Sequence, residues 1–181
     1  MMAVVTTPTV VTTRLVATSD APELAALLAA NRTFLAPYEP FRPEEFYTAE
    51  GQRTFLEDVL RTTAAGMTLP HVIVDDGRIV GRITLSTITR GPFLSASVGY
   101  WVAESANGRG VASAALARIV GIAFGELGLH RVEAGTMVHN AASQRVLQRN
   151  GFKRYGLAPR YLRINGEWRD HILFQRLADD E

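Results

Sequence analysis

The sequence predicts an α+β fold, in which helices flank one mixed and mostly antiparallel sheet. Two observations carry this prediction: short runs of strand composition are separated by tight-turn signals, and stretches with apolar residues at helical spacing lie between them. The 181 residues contain no internal repeat and no linker-like segment, and this length suits a single domain. We therefore expect one domain over residues 1–181, with its core at about 10–178.

The first part of the chain predicts one strand and two helices. Val10–Thr18 has strand composition, and Ser19 and Asp20 supply a helix N-cap before an apolar series at helical spacing. Residues 32–43 contain three prolines among aromatic side chains, so they cannot continue that helix and are expected to form an ordered or lid-like loop. A second helix follows, from about position 44 or 48 to 65.

The rest of the chain alternates between strands and helices, which gives the overall order βααβββαβαββ. Tight hairpin turns are predicted at Asp75–Gly77 and at Asn165–Gly166, because these residue types favour the backbone of short hairpin loops. The predicted elements are a hairpin of strands 71–74 and 78–87, a strand 94–103, a helix 109–127, a strand 131–138, a helix 140–150 and a final hairpin 152–177.

Composition excludes several classes of protein. The chain has no cysteine, which excludes disulfides and a cysteine nucleophile, and its four histidines lack metal-ligand spacing, so no metal is expected. The formal net charge is only +1, although Lys153 is the only lysine among 19 basic residues, and we expect no nucleic-acid partner. Met1–Thr13 lacks the regions of a signal peptide, and no apolar run approaches the length of a membrane span, so a cytoplasmic protein without membrane partners is expected.

The segment Asn107–Ala112, with the sequence Asn-Gly-Arg-Gly-Val-Ala, carries the strongest chemical signal. It joins a predicted strand directly to a predicted helix, so that unpaired backbone N–H groups and the positive helix end point at one place, where an anion would bind. Gly108 and Gly110 lack a Cβ and let the backbone approach a diphosphate closely, and Arg109 can add charge-assisted hydrogen bonds. The pattern favours a cofactor that carries a diphosphate.

A glycine-rich turn between a strand and a helix is not unique to this kind of diphosphate site. The glycines serve a tight strand-to-helix connection equally well without any ligand. A dinucleotide-binding fold would require glycine in place of Ser113 and an acidic residue at the end of the next strand, whereas Glu133 lies near the middle of that strand. A P-loop would require Gly-Lys followed by Ser or Thr, which the segment does not contain.

Four short motifs resemble, in their order and spacing, the GNAT superfamily of N-acetyltransferases. They are Gly99–Val102 (Gly-Tyr-Trp-Val), Asn107–Ala112, Asn140–Ser143 (Asn-Ala-Ala-Ser) and Arg149–Phe152 (Arg-Asn-Gly-Phe). The branch that they resemble most is that of the ribosomal-protein alanine N-terminal acetyltransferases (RimJ/RimL-like), whose final hairpin is similar to Asn165–Asp170. The resemblance covers nearly the whole chain and implies the GNAT fold, with acetyl-CoA as co-substrate.

The resemblance also implies where the cofactor binds. It places the diphosphate of acetyl-CoA on the turn, and the pantetheine beside a strand that separates from its neighbour, with a backbone N–H near Val102 holding the oxyanion. The family usually carries Gln or Arg where this chain has Asn107, so we expect the backbone donors to do most of the binding. The implied cofactor-binding residues are Tyr100, Trp101, Val102, Asn107, Gly108, Arg109, Gly110, Val111, Ala112, Asn140 and Ser143.

Asn140 and Ser143 are expected at the start of a helix. Asn140 is a favoured N-cap residue, and its side chain can accept a hydrogen bond from the N–H of Ser143, which alone would explain both residues. The resemblance adds that Asn140 contacts the pantetheine and that Ser143 donates a proton to the departing thiolate.

The general base has no strong candidate in the sequence. Relatives carry an acid at the position of Leu162 and another just before Gly99, where this chain has Ser97. Glu133, or Ser97 through a water relay, is therefore the predicted base. An α-amine with a pKa of about 8 is partly neutral near physiological pH, whereas a lysine amine with a pKa of about 10.4 is not, so a weak base favours the α-amine as acceptor.

Contacts with the acceptor are expected from the loop residues Tyr38, Glu39 and Phe41 and from Trp168, with Glu39 receiving an ammonium group, although ordinary packing explains these aromatic residues equally well. The sequence thus predicts an enzyme, an N-acetyltransferase acting on a protein or peptide N-terminal α-amine. A small amine, such as an antibiotic or an aminoacyl metabolite, is the alternative acceptor. A non-catalytic acyl-CoA-binding module is the second alternative, and a homodimer is compatible with the sequence.

Overall fold

A seven-stranded sheet lies at the centre of the computed structural model, which describes residues 10–179. The strands are β1 (Thr12–Leu15), β2 (Leu69–Asp75), β3 (Arg78–Thr89), β4 (Ser95–Val102), β5 (Arg131–Met137), β6 (Lys153–Ile164) and β7 (Glu167–Leu177). The helices are α1 (Ala21–Ala30), α2 (Arg32–Leu35), α3 (Ala49–Ala64), α4 (Val111–Gly121) and α5 (Ala141–Arg149).

The strands lie in the order β1-β2-β3-β4-β5-β7-β6, and every neighbouring pair is antiparallel except β4 and β5. The predicted mixed sheet and the predicted order of the main elements are therefore confirmed. Both predicted hairpin turns form as well. Asp76 and Gly77 have φ of 51° and 74°, and Asn165 and Gly166 have φ of 45° and 82°, which suit two-residue hairpin loops.

Each face of the sheet carries its own layer of helices. Helices α4 and α5 cover one face, where Leu116, Ile119 and Leu147 are fully buried against the strands. Helices α1 and α3 cover the other face, where Leu24 and Leu56 are fully buried. Because both faces are covered, a side chain of a central strand reaches solvent only through a gap between elements.

The prediction of a loop over residues 32–43 is wrong for its first part. Arg32–Leu35 forms the helical turn α2, and Ala36–Tyr38 continues it as a 3-10 turn. Asn31, with φ of −105° and ψ of 6°, separates this segment from α1. Pro37 does not prevent the turn, because it occupies the beginning of the 3-10 segment, where its missing N–H has no partner to lose.

Asp20 occupies the N-cap position of α1, but its side chain does not cap the helix. The carboxylate instead accepts a hydrogen bond from the N–H of Ala17 and binds Arg14 through two contacts of 2.8 Å. The ion pair with Arg14 on β1 therefore forms in place of the expected N-cap hydrogen bond. The pairing with Arg14 holds the pKa of Asp20 below its usual range.

Two smaller predictions also need adjustment, and a third falls largely outside the described residues. The first strand is limited to Thr12–Leu15, and α4 ends at Gly121, after which Ile122–Glu126 continues as a π-helical turn. The expectation for Met1–Thr13 concerns positions of which the first nine lie outside the described residues. Within residues 10–179, no helix is long and apolar enough to cross a membrane.

Gly81 on β3 allows this strand to approach its neighbour β4 closely. A Cβ at this position would lie 2.2 Å from the carbonyl oxygen of Trp101. We expect Gly81→Ala to lower the free energy of unfolding by about 1–3 kcal/mol, because the two strands must move apart. Gly121→Ala is the matched control: its φ is −57° and its Cβ would meet open space, so it should raise stability by about 0.5–1 kcal/mol. Urea denaturation measures both, and equal midpoints for Gly81→Ala and the wild type would contradict the close approach.

Candidate active site

The site begins where β4 and β5 separate. These parallel strands pair over three positions only, Ser95–Ser97 with Arg131–Glu133. Beyond Ser97, β4 continues beside β3 and β5 continues beside β7, and no further pair joins β4 to β5 within residues 10–179. The second half of β4 therefore has an unpaired edge that faces the gap.

The backbone of this edge offers hydrogen-bond donors. The N–H of Ala103 donates to the carbonyl oxygen of Val80 at 2.7 Å, which directs Ala103 towards β3. Successive residues of a strand direct their N–H groups to opposite sides in an antiparallel ladder. The N–H groups of Val102 and Tyr100 therefore point away from β3, into the gap, where a bound chain can pair with them.

The turn Asn107–Gly110 brings a helix end to the mouth of this gap. Gly108 and Gly110 have φ of 74° and 79°, a left-handed conformation that glycine adopts without strain. The N–H of Ala114 donates to the carbonyl oxygen of Gly110 at 2.9 Å, so the preceding N–H groups form the free end of α4. A Cβ at either glycine would meet nothing within 4 Å, which shows open space beside the backbone. These features fit a diphosphate.

The side chains of the turn stabilise the loop itself. The amide nitrogen of Asn107 donates to the carbonyl oxygen of Ala103 at 3.2 Å. Arg109 donates from Nη2 to Oδ2 of Asp75 at 2.5 Å, and only 4% of the Asp75 side chain is exposed. These contacts favour backbone donors over side chains as the anion-binding groups, and a direct contact of Asn107 or Arg109 with phosphate stays a prediction.

A continuous groove runs from this turn along α5 to the gap. It consists of two cavities of about 290 and 490 Å³ that share lining residues, and we call it the cofactor groove. The shared residues are Val102, Asn107, Gly108, Ala112, Ala142 and Val146. The groove also contains Val111, Tyr100, Trp101, Asn140 and Ser143, so the structure brings together nearly all of the predicted cofactor-binding residues.

Ser143 lies in the groove beside the partly buried phenol of Tyr100. The N–H of Ser143 donates to Oδ1 of Asn140 at 3.1 Å, which confirms the predicted N-cap. The Tyr100 hydroxyl lies 2.9 Å from Oγ of Ser143. Burial raises the pKa of Tyr100 to about 12, although the hydrogen bond with Ser143 opposes this shift, so Tyr100 keeps its proton over the physiological range. Two hydroxyl groups are thus joined at one point of the groove.

A third cavity of about 300 Å³ lies between the sheet and α3, and we call it the acceptor pocket after the acceptor contacts that the sequence predicts for Tyr38 and Glu39. It shares three residues, Tyr38, Tyr100 and Trp101, with the cofactor groove. The cofactor groove and the acceptor pocket therefore meet at β4, in the stretch where β4 is no longer paired with β5. The other lining residues are Glu39, Phe55, Val59, Pro70, Arg82, Thr84 and Gly99.

Comparison with known proteins identifies the protein family. Residues 11–153 match the model of the acetyltransferase (GNAT) domain. The chain belongs to the GNAT family. It is 34% identical over 162 residues to the ribosomal protein uS5-alanine N-acetyltransferase of Escherichia coli (strain K12), and this alignment covers 88% of the chain and 84% of the relative.

Two solved structures support the same assignment. RimJ of Mycobacterium smegmatis, in complex with CoA-disulfide, superposes with a TM-score of 0.91 at 35% identity, over 93% of this chain and 82% of that one. The ribosomal-protein-S5-alanine acetyltransferase of Vibrio fischeri superposes with a TM-score of 0.89 at 35% identity, over 94% of each chain. This GNAT protein is therefore an acetyl-CoA-dependent N-acetyltransferase, as the motifs predict.

Glu39 is the carboxylate that the acetyltransferase places in its acceptor pocket. Burial raises the pKa of Glu39, while the positive charges of Arg42 and Arg82 partly oppose this shift. The carbonyl oxygen of Glu39 accepts a hydrogen bond of 3.0 Å from the N–H of Asn165, at the tip of the β6–β7 hairpin. The backbone of the loop that holds Glu39 is thus hydrogen-bonded to the hairpin that holds Trp168.

The two bases predicted for the acetyltransferase, Glu133 and Ser97, face each other at the last paired position of β4 and β5. Glu133 accepts a hydrogen bond of 2.9 Å from the Tyr155 hydroxyl and lies 3.9 Å from Nη1 of Arg131. Neither Glu133 nor Ser97 lines the cofactor groove or the acceptor pocket. Their catalytic role stays a prediction.

Two of the four predicted acceptor residues lie apart from the pocket. Phe41 and Trp168 are 76% and 62% exposed and line neither the cofactor groove nor the acceptor pocket. His139 lines a separate cavity with Arg32 and Arg169, and its ring lies 6.3 Å from that of Tyr38. Among residues 10–179, no group of three or more acidic or histidine side chains is arranged to hold a metal ion.

Arg82 is not among the site residues that the sequence predicts. It lies in the middle of β3, lines the acceptor pocket, and stacks on the Phe55 ring, with 4.5 Å between its Cζ atom and the ring centroid. The available signal is a charged residue in the middle of a long strand that helices cover on both faces, because arginine is seldom buried without a role or a partner.

The N-cap at Asn140 supports the groove wall that presents Ser143. We expect Asn140→Ala to lower the free energy of unfolding by about 1 kcal/mol, because the Ser143 N–H loses its acceptor. Asn140→Asp keeps an oxygen at the cap and should retain most of this stability. Chemical denaturation of the three proteins tests the cap, and a loss of the same size in both variants would contradict it.

Proposed function

We propose that this acetyltransferase transfers the acetyl group of acetyl-CoA to the α-amine of a protein or peptide N-terminus. The observation that carries the proposal is the acceptor pocket, which holds the carboxylate of Glu39 and meets the cofactor groove at Tyr100 and Trp101. A carboxylate in this position suits an incoming ammonium group. Support also comes from the E. coli relative, which is named for an alanine of ribosomal protein uS5.

The cofactor groove holds acetyl-CoA mainly through the main chain. The N–H groups at the start of α4, from Gly108 onwards, bind the diphosphate, and the free N–H groups of Tyr100 and Val102 bind the pantetheine arm and the thioester oxygen. When bound, acetyl-CoA supplies the thioester carbon that the neutral amine attacks. The donors are held by secondary structure, so they need no rearrangement during the reaction.

Ser143 and Tyr100 supply the proton that the departing thiol requires. Ser143 lines the groove, and its Oγ is hydrogen-bonded to the Tyr100 hydroxyl at 2.9 Å. Tyr100 is protonated well above neutral pH, because burial raises its pKa to about 12. Ser143 donates its proton to the departing thiolate while Tyr100 passes its own proton to Oγ of Ser143, and the Tyr100 phenolate, a strong base because its pKa is raised, then takes up a proton from solvent.

Glu39 is the base of this proposal, in preference to Glu133 and Ser97. It lines the pocket that receives the amine, and burial raises its pKa, which brings its basicity closer to that of the amine. The demand on the base is small, because an α-amine with a pKa of about 8 requires less than about 1 kcal/mol for deprotonation near pH 7.4, against roughly 4 kcal/mol for a lysine amine.

The choice of acceptor is tested by the release of CoA. The protein is incubated with acetyl-CoA and with peptides that begin with Ala, Ser or Met, the same peptides with a blocked α-amine, free alkylamines and aminoglycosides. We expect release with the free peptides and only background release with the blocked ones. Selective release with a small amine would replace the protein N-terminus by the alternative acceptor, and tight CoA binding without any acceptor-dependent release would contradict the enzymatic proposal.

The role of Glu39 is tested by the pH dependence of kcat/KM. A carboxylate base is active above its pKa, so wild-type activity should be lost as pH falls through the raised pKa of Glu39. Glu39→Gln should be slower by about fivefold near pH 7.4, where about one-fifth of an α-amine with a pKa of about 8 is neutral, and should approach the wild type as pH rises through that pKa, where the free amine needs no base.

The comparison includes Glu133→Gln and Ser97→Ala, the bases predicted from the sequence, and Glu57→Gln, which changes an exposed acid on α3. If the loss at neutral pH follows Glu133→Gln or Ser97→Ala while Glu39→Gln keeps the wild-type profile, Glu39 is not the base.

A further inference from the structure

Within residues 10–179, two buried donors in the acceptor pocket have no hydrogen-bond acceptor. They are Nη1 of Arg82 and Nε1 of Trp101, and both residues line the pocket. Arg82 and Trp101 are direct partners in the β3–β4 register, so their side chains lie next to each other on the same face of the sheet. Buried polar groups without a partner are rare in native proteins, and one reason for them is a bound group that the free protein lacks.

The surroundings of Arg82 show what kind of group is missing. The guanidinium rests on the Phe55 ring, and burial lowers its pKa to about 10, with Glu39 offsetting part of that effect. Arg42, which does not line the pocket, adds a second positive charge close enough to act on both Glu39 and Arg82. An acceptor oxygen beside Arg82 would complete this set, and an aliphatic group would not.

The proposed acceptor carries such an oxygen. In an N-terminal residue the amine and the first carbonyl are attached to the same carbon, so an amine directed towards Glu39 brings a carbonyl oxygen with it into the same cavity of about 300 Å³. A lysine side chain or a simple alkylamine has only methylene groups at that distance from its nitrogen.

We infer that Arg82, together with Trp101, binds the carbonyl oxygen next to the acceptor's amine, and so makes the enzyme specific for α-aminoacyl groups. This inference rests on the proposed function and names the feature of the acceptor that the pocket recognises. A site built to bind an oxygen discriminates strongly against an analogue that lacks it, because the buried donors then remain unpaired.

The test uses two acceptors of the same shape. One is a short peptide that begins with Ala, and the other is the same peptide with a trans-alkene in place of its first peptide bond, which keeps the geometry and removes the carbonyl. For each protein the ratio of the two kcat/KM values is measured per concentration of neutral amine, because the carbonyl also lowers the pKa of the amine. The proteins are the wild type, Arg82→Met, Arg82→Lys, Trp101→Phe and the control Arg78→Met, which changes an exposed arginine at the start of the same strand.

We expect the wild type to prefer the peptide by at least about tenfold, the typical effect of a hydrogen bond to a charged group. Arg82→Met should reduce that ratio about tenfold, and Trp101→Phe should reduce it less, since it removes one neutral donor and keeps the aromatic ring. Arg78→Met should keep the wild-type ratio. The binding of CoA and the midpoint of thermal unfolding establish that each variant is folded, and Arg82→Lys, which keeps the buried charge but loses the planar fork, replaces Arg82→Met if the latter does not fold.

Three results would overturn the inference or the function on which it rests. Equal kcat/KM values for both acceptors in the wild type would show that the carbonyl is not recognised. A loss of the same factor for both acceptors in Arg82→Met would assign Arg82 to packing on Phe55. A failure of the proposed function is distinguishable from both, because neither compound would then release CoA from a wild-type protein that binds the cofactor.

Discussion

The loss of pairing between β4 and β5 is the constraint on which the site depends. Three residue pairs hold the two strands together, and beyond Ser97 and Glu133 each strand continues beside a different neighbour. An unpaired strand edge buried in a protein would leave backbone donors without acceptors, which is unfavourable. An extended molecule that pairs with the free strand edge therefore fits this gap. The same opening connects the two faces of the sheet, which the helices otherwise cover.

Much of this architecture follows from local patterns in the sequence. The hairpin at Asp76 and Gly77, the cap at Asn140 and the glycine turn before α4 each depend on residues within a few positions of one another, and the structure contains all three. The cofactor side was predictable for this reason: a strand, a glycine-rich turn and a helix end that follow one another in sequence also lie together in space.

The acceptor side could not be predicted in the same way, because its residues come from distant parts of the chain. Glu39 lies on the connection before α3, Arg82 on β3 and Trp101 on β4, and only the packed sheet brings them into one pocket. Asp20 shows the same limit on a smaller scale. Its position favours a helix cap, but Arg14 on β1 lies within reach and binds the carboxylate instead.

The cofactor groove and the acceptor pocket therefore differ in whether main-chain or side-chain atoms bind the ligand. The turn at Gly108 and Gly110 and the free edge of β4 present mainly main-chain atoms, which most side-chain substitutions leave in place. Recognition in the acceptor pocket, as proposed, depends on the side chains of Glu39, Arg82 and Trp101, which line it. During evolution, a gene copy of this protein can thus change its target through a few codons without rebuilding the part that binds the acetyl donor, and divergence of substrate is expected to outpace divergence of chemistry.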